Sequence, residues 1–288
     1  MSRRIELLPL GARDIGAAMT FAAARPAECA LIAGWIHDGG LTTGRGSLFA
    51  LRDEAGAISS LVFMSTSGIL VPVLNTHDDA RIDAEAAEAA AKVATRIPGM
   101  LRVIVGRRSC TRSVWARLEG MGLRARMSRD QVGYVTDAST FERSAPRLEL
   151  KAATKIHLDA LVETSAAMAR EEAQDDPQAR NPSLFRARIE ERMLLRRDLV
   201  FAPNGQLLFK CNISALSNIT GQVEGIYTVP KHRGRGIGKR GTASATEWVL
   251  NHASAASLLV NDDNDVAIRM YESLGYRPVF ESQTIFVR

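Results

Sequence analysis

The stretch that decides the fold is Gln222–Gly241, which reads QVEGIYTVPKHRGRGIGKRG. It begins as a short apolar strand that stops at Pro230, continues as a basic, glycine-rich turn and leads into a helix-forming segment. Glycines at alternate positions leave backbone N–H groups uncovered beside a helix start, where the helix dipole adds partial positive charge. Four cationic residues surround this turn: Lys231, Arg233, Arg235 and Lys239. The pattern predicts a pocket for a pyrophosphate or a similar polyanion.

The composition is ordinary for a globular protein that is long enough for two domains. Of its 288 residues, 46% are hydrophobic and 24% are charged, and the net charge is +5. A mildly basic protein suits acidic ligands. Only 6% of the residues are aromatic, whereas single-stranded nucleic acid is usually bound by aromatic side chains interleaved with basic ones. The composition therefore argues against a nucleic-acid partner.

The cysteines and the N-terminal segment indicate a reducing, cytoplasmic setting. Cys29, Cys110 and Cys211 are far apart and form no C-x-x-C pair, so we expect neither a disulfide framework nor a metal site. The N-terminal segment has no signal-peptide core, and no apolar run approaches the ~18 residues of a membrane span. We expect a cytoplasmic protein with no membrane association, and a homo-oligomer is compatible with the sequence.

Strand-like and helix-like segments alternate along the chain, which predicts an α/β fold. The patterns predict a helix over Ile5–Pro26, a loop over Gln174–Pro182, a hairpin turn at Asn204-Gly205 and a pair of terminal strands, 279–281 and 284–287. Residues 136–145 are polar and lack periodicity, and a proline follows. We therefore predict two domains, at residues 1–140 and 146–288.

The two halves of the sequence share a repeated segment. LEGMGLR, starting at Leu118, parallels YESLGYR, starting at Tyr271, and the same offset aligns further strands and helices upstream. The glycine turn then aligns with Ala80–Glu85, which has no glycine and carries two carboxylates. Such a turn would repel a pyrophosphate. We interpret the first half as a degenerate copy of the second.

Three kinds of phosphate site compete for the glycine turn, besides a solvated loop that binds nothing. A P-loop is excluded because Arg233 stands where its first glycine belongs and Arg240 where Ser or Thr must meet magnesium. Gly236–Gly241 does match the dinucleotide pattern G-x-G-x-x-G, with Asp262 near the expected acidic position. However, a Rossmann strand normally runs straight into its first glycine, and too little chain follows for a doubly wound sheet.

The third kind of site binds the pyrophosphate of an acyl-CoA. Arg233–Gly238 matches R-x-x-G-x-G after an apolar strand, and a segment from Asn264 to Tyr276 (NDVAIRMYESLGY) follows a later strand. Together these two motifs resemble the GNAT superfamily of acetyl-CoA-dependent N-acetyltransferases. The chain further resembles a bacterial two-domain group in which a degenerate GNAT-like domain precedes a working one. The resemblance implies an α/β fold with a mixed sheet in tandem GNAT-like copies, the second of which has a splayed sheet and the acetyl-CoA site.

The resemblance also implies which residues bind the cofactor. Ile226 and Thr228 would offer backbone groups to the pantetheine arm and the thioester, and a main-chain N–H would polarise the acetyl carbonyl. Asn264 matches a position that contacts the pantetheine region. The backbone that would bind the pyrophosphate is the run Arg233, Gly234, Arg235, Gly236, Ile237, Gly238 and Lys239.

Two further residues are candidates for proton transfer. Tyr271 matches the general acid that the family uses to protonate the departing CoA thiolate; alternatively, it is a core aromatic residue. Glu224 is the carboxylate nearest the expected thioester site and is our candidate base for the acceptor amine, directly or through water. The alternative for Glu224 is a strand carboxylate paired with an arginine.

The sequence thus predicts an acetyl-CoA-dependent N-acyltransferase that uses acetyl-CoA as co-substrate, needs no metal and acts on a small-molecule or peptide amine. The alternative is a CoA-binding regulatory or sensor module without transferase activity. An acidic cluster (Glu171, Glu172, Asp175 and Asp176) lies where acceptor specificity is expected. It would hold a cationic amine or be a solvated loop.

Overall fold

The computed structural model describes residues 6–75, 80–97, 99–173 and 176–288. Their contacts divide the chain into two compact units. Unit 1 comprises Met1–Val135, Leu259–Asp265 and Pro278–Arg288, and unit 2 comprises Thr136–Leu258 and Val266–Arg277. The domain limits expected from the sequence remain a proposal, and these contact-based units differ from them chiefly in grouping the last strand with unit 1.

Unit 1 is a mixed sheet with helices. The elements of the first half are β1 (Leu8–Pro9), α1 (Ile15–Ala23), α2 (Ala30–His37), α3 (Gly40–Thr43), β2 (Gly46–Arg52), β3 (Ile58–Ser65), β4 (Ile69–Val73), α4 (Ala80–Ala94), β5 (Val103–Arg107), α5 (Arg108–Gly120) and β6 (Ala125–Asp137). The sheet order in unit 1 is β1-β2-β3-β4-β5-β12-β6, where β12 is the last strand of the chain, Arg277–Val287. Buried alanines of α4, such as Ala87 and Ala90, pack against Val62 and Ile104 in one core.

Unit 2 carries the glycine turn. Its elements are β7 (Lys151–Ala152), α6 (Leu158–Ala173), α7 (Pro177–Arg180), α8 (Pro182–Leu194), β8 (Asp198–Phe201), β9 (Phe209–Leu216), β10 (Thr220–Thr228), α9 (Ile237–Leu250), most of β11 (Ala255–Asn261) and most of α10 (Asp265–Glu272). The strand order is β11-β10-β9-β8-β7, parallel between β10 and β11 and antiparallel elsewhere.

Helices cover both faces of the unit 2 sheet. Leu161 of α6 and Ile189 of α8 share a buried core with Val200 of β8. On the opposite face, α9 comes so close to β9 that a Cβ on Gly241 would lie 2.6 Å from the Phe209 ring. Because successive strand residues face opposite sides, Phe209 faces α9 and its neighbour Lys210 faces α6.

The mixed α/β fold class predicted from the sequence is confirmed, as is the hairpin turn at Asn204-Gly205. Three element predictions are wrong. The helix expected over Ile5–Pro26 begins only at Ile15, since Pro9 and Gly11 interrupt it and β1 precedes it. The two terminal strands are one strand, β12, because no glycine or proline breaks it between Glu281 and Thr284. The loop expected around 174–182 contains the short helix α7; its first residues, Gln174 and Asp175, lie outside the described residues.

The repeat seen in the sequence has a counterpart in the order of elements. β4, α4, β5, α5 and β6 follow one another in the first half as β10, α9, β11, α10 and β12 do in the second. In each half the first of these strands pairs in parallel with the second. The same element order in both halves supports the interpretation of a duplicated fold.

Candidate functional site

Strand β10 leaves its parallel neighbour before it reaches the glycine turn. Its pairing with β11 covers Thr220, Gly221 and Gln222 and then stops, although β10 continues to Thr228. Val229 N–H donates to the Leu208 carbonyl on the β9 side at 3.0 Å. Since peptide groups alternate along a strand, Thr228 directs its own N–H away from β9, toward the side that β11 has left. The divergence opens a backbone edge at the end of β10.

A β-bulge interrupts the ladder between β9 and β10 at the same level. Glu224 lies opposite Asn212 and Tyr227 opposite Lys210, so Gly225 and Ile226 together face one residue of β9. Gly225 has φ +60°, in the left-handed region that favours glycine. The bulge takes the peptide between Gly225 and Ile226 out of the regular ladder. Ile226, half-buried, therefore joins Thr228 on the open edge.

The bulge also brings Glu224 onto the face that α6 covers. Directly opposed residues share a face, so Glu224 lies on the side of Asn212, and Tyr227 on the side of Lys210. Asn212 and Lys210 are two positions apart and share that side. Tyr227 and Lys210 both contact α6. Without the extra residue, Glu224 and Tyr227 would point to opposite faces; with it, the exposed Glu224 carboxylate lies on the α6 side of the open edge.

The glycine turn ends in an uncapped helix N-terminus. Gly234 and Gly236 have φ values of +74° and +71°, and helix α9 starts at Ile237 with Gly236 as an N-cap that provides no side-chain hydrogen bond. The first N–H groups of a helix have no acceptor within it, so those of Ile237, Gly238 and Lys239 are available to an anion. A Cβ on Gly234 or Gly236 would meet nothing within 4 Å. The open space and the N–H groups without an acceptor in the helix make this turn a candidate site for an anion, which we call the anion cradle.

The start of α9 lies against the end of β10. A Cβ on Gly238 would come within 3.3 Å of the Thr228 hydroxyl and 3.8 Å of the Met270 sulfur. Glycine therefore allows the close approach of three elements, β10, α9 and α10. This approach brings the cradle, the open edge and the residue beside Tyr271 together within unit 2.

Arg233 is held by groups that the sequence did not connect to it. Its Nη2 donates to the Glu171 carboxylate at 2.7 Å, and its Nε donates to the Thr228 carbonyl at 3.1 Å. The Tyr227 hydroxyl donates to the same carboxylate at 2.6 Å. Burial alone would raise the pKa of Glu171, but these hydrogen bonds from Tyr227 and Arg233 lower it overall. Glu171, expected in an acceptor cluster, thus ties α6 to the glycine turn.

Tyr271 lies in the interior of unit 2, with 7% of its surface exposed. Its ring meets that of Tyr276 edge-on, with centroids 6.0 Å apart. Burial raises the pKa of the Tyr271 phenol, and the negative charge of Glu172 raises it further. The nearby Cys211 is the β9 residue opposite the bulge. The phenol is therefore protonated across the whole neutral range, as a proton donor must be.

Asn264 is placed in unit 1 by its contacts, and its N–H donates to the Asn261 carbonyl at 3.0 Å. Its role in cofactor binding stays a prediction. In the described parts of the chain, no group of three or more His, Cys, Asp or Glu side chains could hold a metal ion, and no helix is long and apolar enough to cross a membrane. The three cysteines have free thiols and are buried.

A buried polar cluster beneath the bulge was missed by the sequence reasoning. Lys210, 3% exposed, donates from Nζ to the Gly225 carbonyl at 3.2 Å and lies 3.7 Å from the Met168 sulfur. Nearby, Arg192 of α8 forms an ion pair with the buried Asp198 of β8. The one signal in the sequence was a lysine inside an otherwise apolar strand.

Comparisons with known proteins agree with this architecture. The family model described as "Acetyltransferase (GNAT) family" matches residues 167–276, which contain α6, the bulge, the glycine turn and Tyr271. A search of curated protein sequences gave no match.

Solved structures of similar fold cover nearly the whole chain. A Drosophila protein aligns with a TM-score of 0.70 and 13% identity over 98% of both chains. A tandem GNAT protein from the clavulanic acid biosynthesis pathway aligns at 0.54 and 14% identity over 99% of this chain and 98% of its own. A GNAT-family acetyltransferase from Colwellia psychrerythraea aligns at 0.53 and 10% identity over 98% and 100%. The match to the family model supports acyl transfer as the activity of the second half. Residues 167–276 match the GNAT acetyltransferase family model, and the chain as a whole has the fold of tandem GNAT proteins.

Proposed function

We propose that the second half of the chain is an acetyl-CoA-dependent N-acetyltransferase that moves an acetyl group to an amine. The observation that carries this proposal is the coupling of an open strand edge to an uncapped helix start. The divergence of β10 from β11 after Gln222 exposes backbone groups, and the strand then runs into the anion cradle at Gly236. An acyl-CoA carries a thioester and a pyrophosphate in one molecule, so its thioester can lie at the open edge while its pyrophosphate binds in the anion cradle.

The cofactor would lie along the open edge. The N–H groups of Ile237, Gly238 and Lys239, with Arg233, Gly234, Arg235 and Gly236 leading into them, would bind the pyrophosphate. Ile226 and Thr228 would bind the pantetheine arm and polarise the thioester carbonyl, and Asn264 would contact the arm. No resident metal is required, because the backbone donors supply the polarisation. The cytoplasmic location and a homo-oligomeric state stay predictions.

Two side chains would transfer protons, one from the acceptor amine and one to the leaving CoA thiolate. Glu224 would remove a proton from the acceptor, since an amine is mostly ammonium at neutral pH and attacks only as the free base. The amine nitrogen then bonds to the acetyl carbon, the C–S bond breaks, and the nitrogen releases its second proton to solvent. Tyr271 would give its proton to the departing thiolate and regain one from solvent. With a thiol pKa of ~8.5 by analogy with cysteine, the thiolate leaves readily, so this acid accelerates the step without being essential.

Calorimetry with acetyl-CoA followed by transfer assays on a panel of small and peptide amines tests the proposal. We expect micromolar binding and transfer to at least one amine. Failure to bind at high micromolar concentration would refute a CoA site. Binding without any transfer would instead favour the alternative function, a regulatory or sensor module that binds CoA without transferase activity.

The acceptor-side role of Glu224 has its own test. In Glu224→Gln we expect kcat/KM for the amine to fall about a hundredfold at pH 7 and to recover partly at high pH, where the amine is already deprotonated. The affinity for acetyl-CoA should not change. A Glu224→Gln variant with an unaltered pH profile would exclude this carboxylate as the base.

A further inference from the structure

We propose that Lys210 is a positioning residue for acyl transfer: its Nζ holds the Gly225 carbonyl and thereby directs and polarises the Ile226 N–H that faces the thioester. The inference rests on the proposed function of the open edge. It adds a residue from the neighbouring strand, β9, which touches neither cofactor nor acceptor.

The geometry of one peptide bond connects Lys210 to the open edge. The Gly225 carbonyl and the Ile226 N–H belong to the same peptide unit, which is trans, so they point in opposite directions. Lys210 Nζ donates to that carbonyl at 3.2 Å from the α6 side of the bulge. Fixing the carbonyl toward Lys210 therefore fixes the N–H away from it.

The bulge leaves this peptide without the usual constraint of a ladder. Ile213 N–H donates to the Arg197 carbonyl on the β8 side, so by alternation Asn212 and Lys210 direct their peptide groups to β10. Their partners there are Glu224 and Tyr227. The peptide between Gly225 and Ile226 falls between these two pairs, and β11 has already diverged on the other side. The contact from Lys210 supplies the orientation that strand pairing does not.

The surroundings of Lys210 make its charge effective. The side chain is 3% exposed, and its neighbours include the Met168 thioether at 3.7 Å. In a medium of low polarity, a positive charge on a carbonyl oxygen strengthens the N–H of the same peptide as a donor. Burying a charged lysine costs desolvation free energy, whereas an apolar residue would fill the same space without that cost. A role for the charge itself is therefore the better explanation.

The charge also has a defined pH range. Burial, assisted by the charge of Arg192, lowers the pKa of Lys210 to about 8, while Asp198, Cys211 and Glu172 oppose the shift. Arg192, Asp198 and Glu172 act on it from α8, β8 and α6, and Cys211 is its neighbour along β9. On β10, Glu224 lies on the same face, and Tyr227 lies directly opposite Lys210 with a pKa raised to about 12 by burial and by its hydrogen bond to Glu171. Burial raises the pKa of the Cys211 thiol to about 12, so Lys210 is the group in this cluster that changes charge near pH 8. Polarisation of the Ile226 N–H should therefore weaken as the pH rises through 8.

The test measures the thioester carbonyl of bound acetyl-CoA directly and needs no acceptor. Isotope-edited infrared difference spectra with acetyl-CoA labelled at the acetyl carbonyl carbon report how strongly a donor polarises that group. We expect a shift to lower frequency on binding to the wild-type protein, a much smaller shift in Lys210→Met, and an intermediate one in Lys210→Gln, which keeps a neutral donor. In transfer assays kcat should fall about ten- to hundredfold in Lys210→Met with little change in KM for acetyl-CoA.

Val200→Ala is the matched control. Val200 lies directly opposite Lys210 on β8, shares its face and is 1% exposed. We expect this variant to lose stability but keep the carbonyl shift and kcat. If Lys210→Met does not fold, the wild-type protein alone still tests the proposal, because the frequency shift of its bound carbonyl should decline between pH 7 and 9.

Failure of this inference can be told from failure of the proposed function. Absence of acetyl-CoA binding to the wild-type protein overturns both. Intact binding with the same carbonyl shift in the wild type and Lys210→Met, or a wild-type shift that is constant from pH 6.5 to 9.5, overturns only the role of Lys210.

Discussion

The crossover from β4 to α4 and the crossover from β10 to α9 begin alike and end differently. β4 pairs in parallel with β5 at Ile69 and Leu70, as β10 does with β11 over three residues, and each strand then continues without that parallel partner. The ladder of β4 with β3 is regular, and β4 carries Pro72, which has no N–H. The corresponding part of β10 has a bulge at Gly225.

The difference extends to the helix and to the residue that would act as acid. The segment of the first half that aligns with the glycine turn, Ala80–Glu85, is already helical, whereas α9 begins only after Gly236. Leu118 stands where Tyr271 stands in the second half and is fully buried in the core of unit 1. The same framework therefore differs in the backbone groups that it offers to a ligand. Pro72 gives β4 no N–H, whereas the irregular β10 leaves the N–H groups of Ile226 and Thr228 on its open edge.

The largest loss of acetyl-CoA affinity should follow from placing a carboxylate in the glycine turn, where the aligned segment of the first half carries two. In Gly236→Asp, affinity for acetyl-CoA should fall by about a thousandfold or more, because a negative charge replaces open space in the anion cradle and the φ of +71° strains the side chain. Titration calorimetry measures the loss.

Gly205→Asp is the control for that variant. Gly205 is also exposed and has φ +77°, and a Cβ on it would meet nothing within 4 Å. An aspartate there bears the same backbone strain away from the cradle, so its affinity for acetyl-CoA should equal that of the wild type. Micromolar affinity in Gly236→Asp would show that the cradle is not the pyrophosphate site.

The next effect is on the pH dependence of stability. It comes from a buried lysine in β9 that has no counterpart in β3, the strand before β4 in the first half. Where β3 buries Leu61, Val62 and Phe63, β9 buries Lys210. The pKa of Lys210 is lowered to about 8 from 10.5, so between these values the native state binds fewer protons than the unfolded state. The free energy of unfolding should therefore rise with pH across this window, by on the order of 3 kcal/mol at most.

Urea unfolding of the wild type and of Lys210→Met at pH 7.5, 9 and 10.5 isolates this contribution, because all other groups titrate alike in both. The wild type should gain stability relative to the variant as the pH rises. Lys151→Met removes an exposed lysine of β7 and should track the wild type. Parallel curves for the wild type and Lys210→Met would mean that Lys210 keeps an ordinary pKa.

A third effect tests the contrast between Tyr271 and Leu118. Tyr271→Phe should lower kcat about ten- to hundredfold with little change in the affinity for acetyl-CoA, because protonation helps a leaving group that can also depart as a thiolate. Tyr271→Leu, which copies the first half, should lose at least as much. Steady-state kinetics over a range of acetyl-CoA concentrations separates kcat from KM.

Tyr276→Phe controls for the loss of a buried hydroxyl. Its hydroxyl hydrogen-bonds with that of Thr246 at 2.8 Å, so the variant should lose about 1 kcal/mol of stability and keep kcat. Equal kcat values in Tyr271→Phe and the wild type would leave Tyr271 as a core aromatic residue.

Local signals in the sequence were enough to predict the elements around the site. The helix start after Gly236 follows from glycine spacing, and the hairpin at Asn204-Gly205 from residues that tolerate positive φ, here +53° and +77°. The end of β10 was predictable from Pro230. These features depend on neighbouring residues alone, so a single sequence contains them.

Features that depend on distant residues were not predictable. Lys210 and Gly225 meet because a register shift joins two strands, and Glu171 reaches Arg233 only once α6 packs over the sheet. The grouping of β12 with unit 1 likewise depends on pairing with β5, which no periodicity records. Gly225 inside an apolar strand was a visible sign of the bulge.

The smallest expected effect concerns the Glu171–Arg233 contact. Both side chains are nearly half exposed, and such ion pairs contribute about 0–1 kcal/mol. A polyphosphate that binds Arg233 competes with Glu171 for the same guanidinium. We therefore expect Glu171→Gln to bind acetyl-CoA about two- to fivefold more tightly, with the gain shrinking at high salt.

Asp159→Asn is the matched control, since Asp159 also belongs to α6 and forms an exposed ion pair, with Arg186, in the same unit. Calorimetry of both variants at low and high salt compares their affinities for acetyl-CoA. A gain in Glu171→Gln alone would come from the loss of Glu171 as a competitor for Arg233, whereas a gain in both variants would come from the change in net charge. Weaker binding in Glu171→Gln alone would reverse the interpretation. The carboxylate would then serve to hold Arg233 in place for the phosphate, and the tie from α6 to the glycine turn would be part of the site rather than a competitor for it.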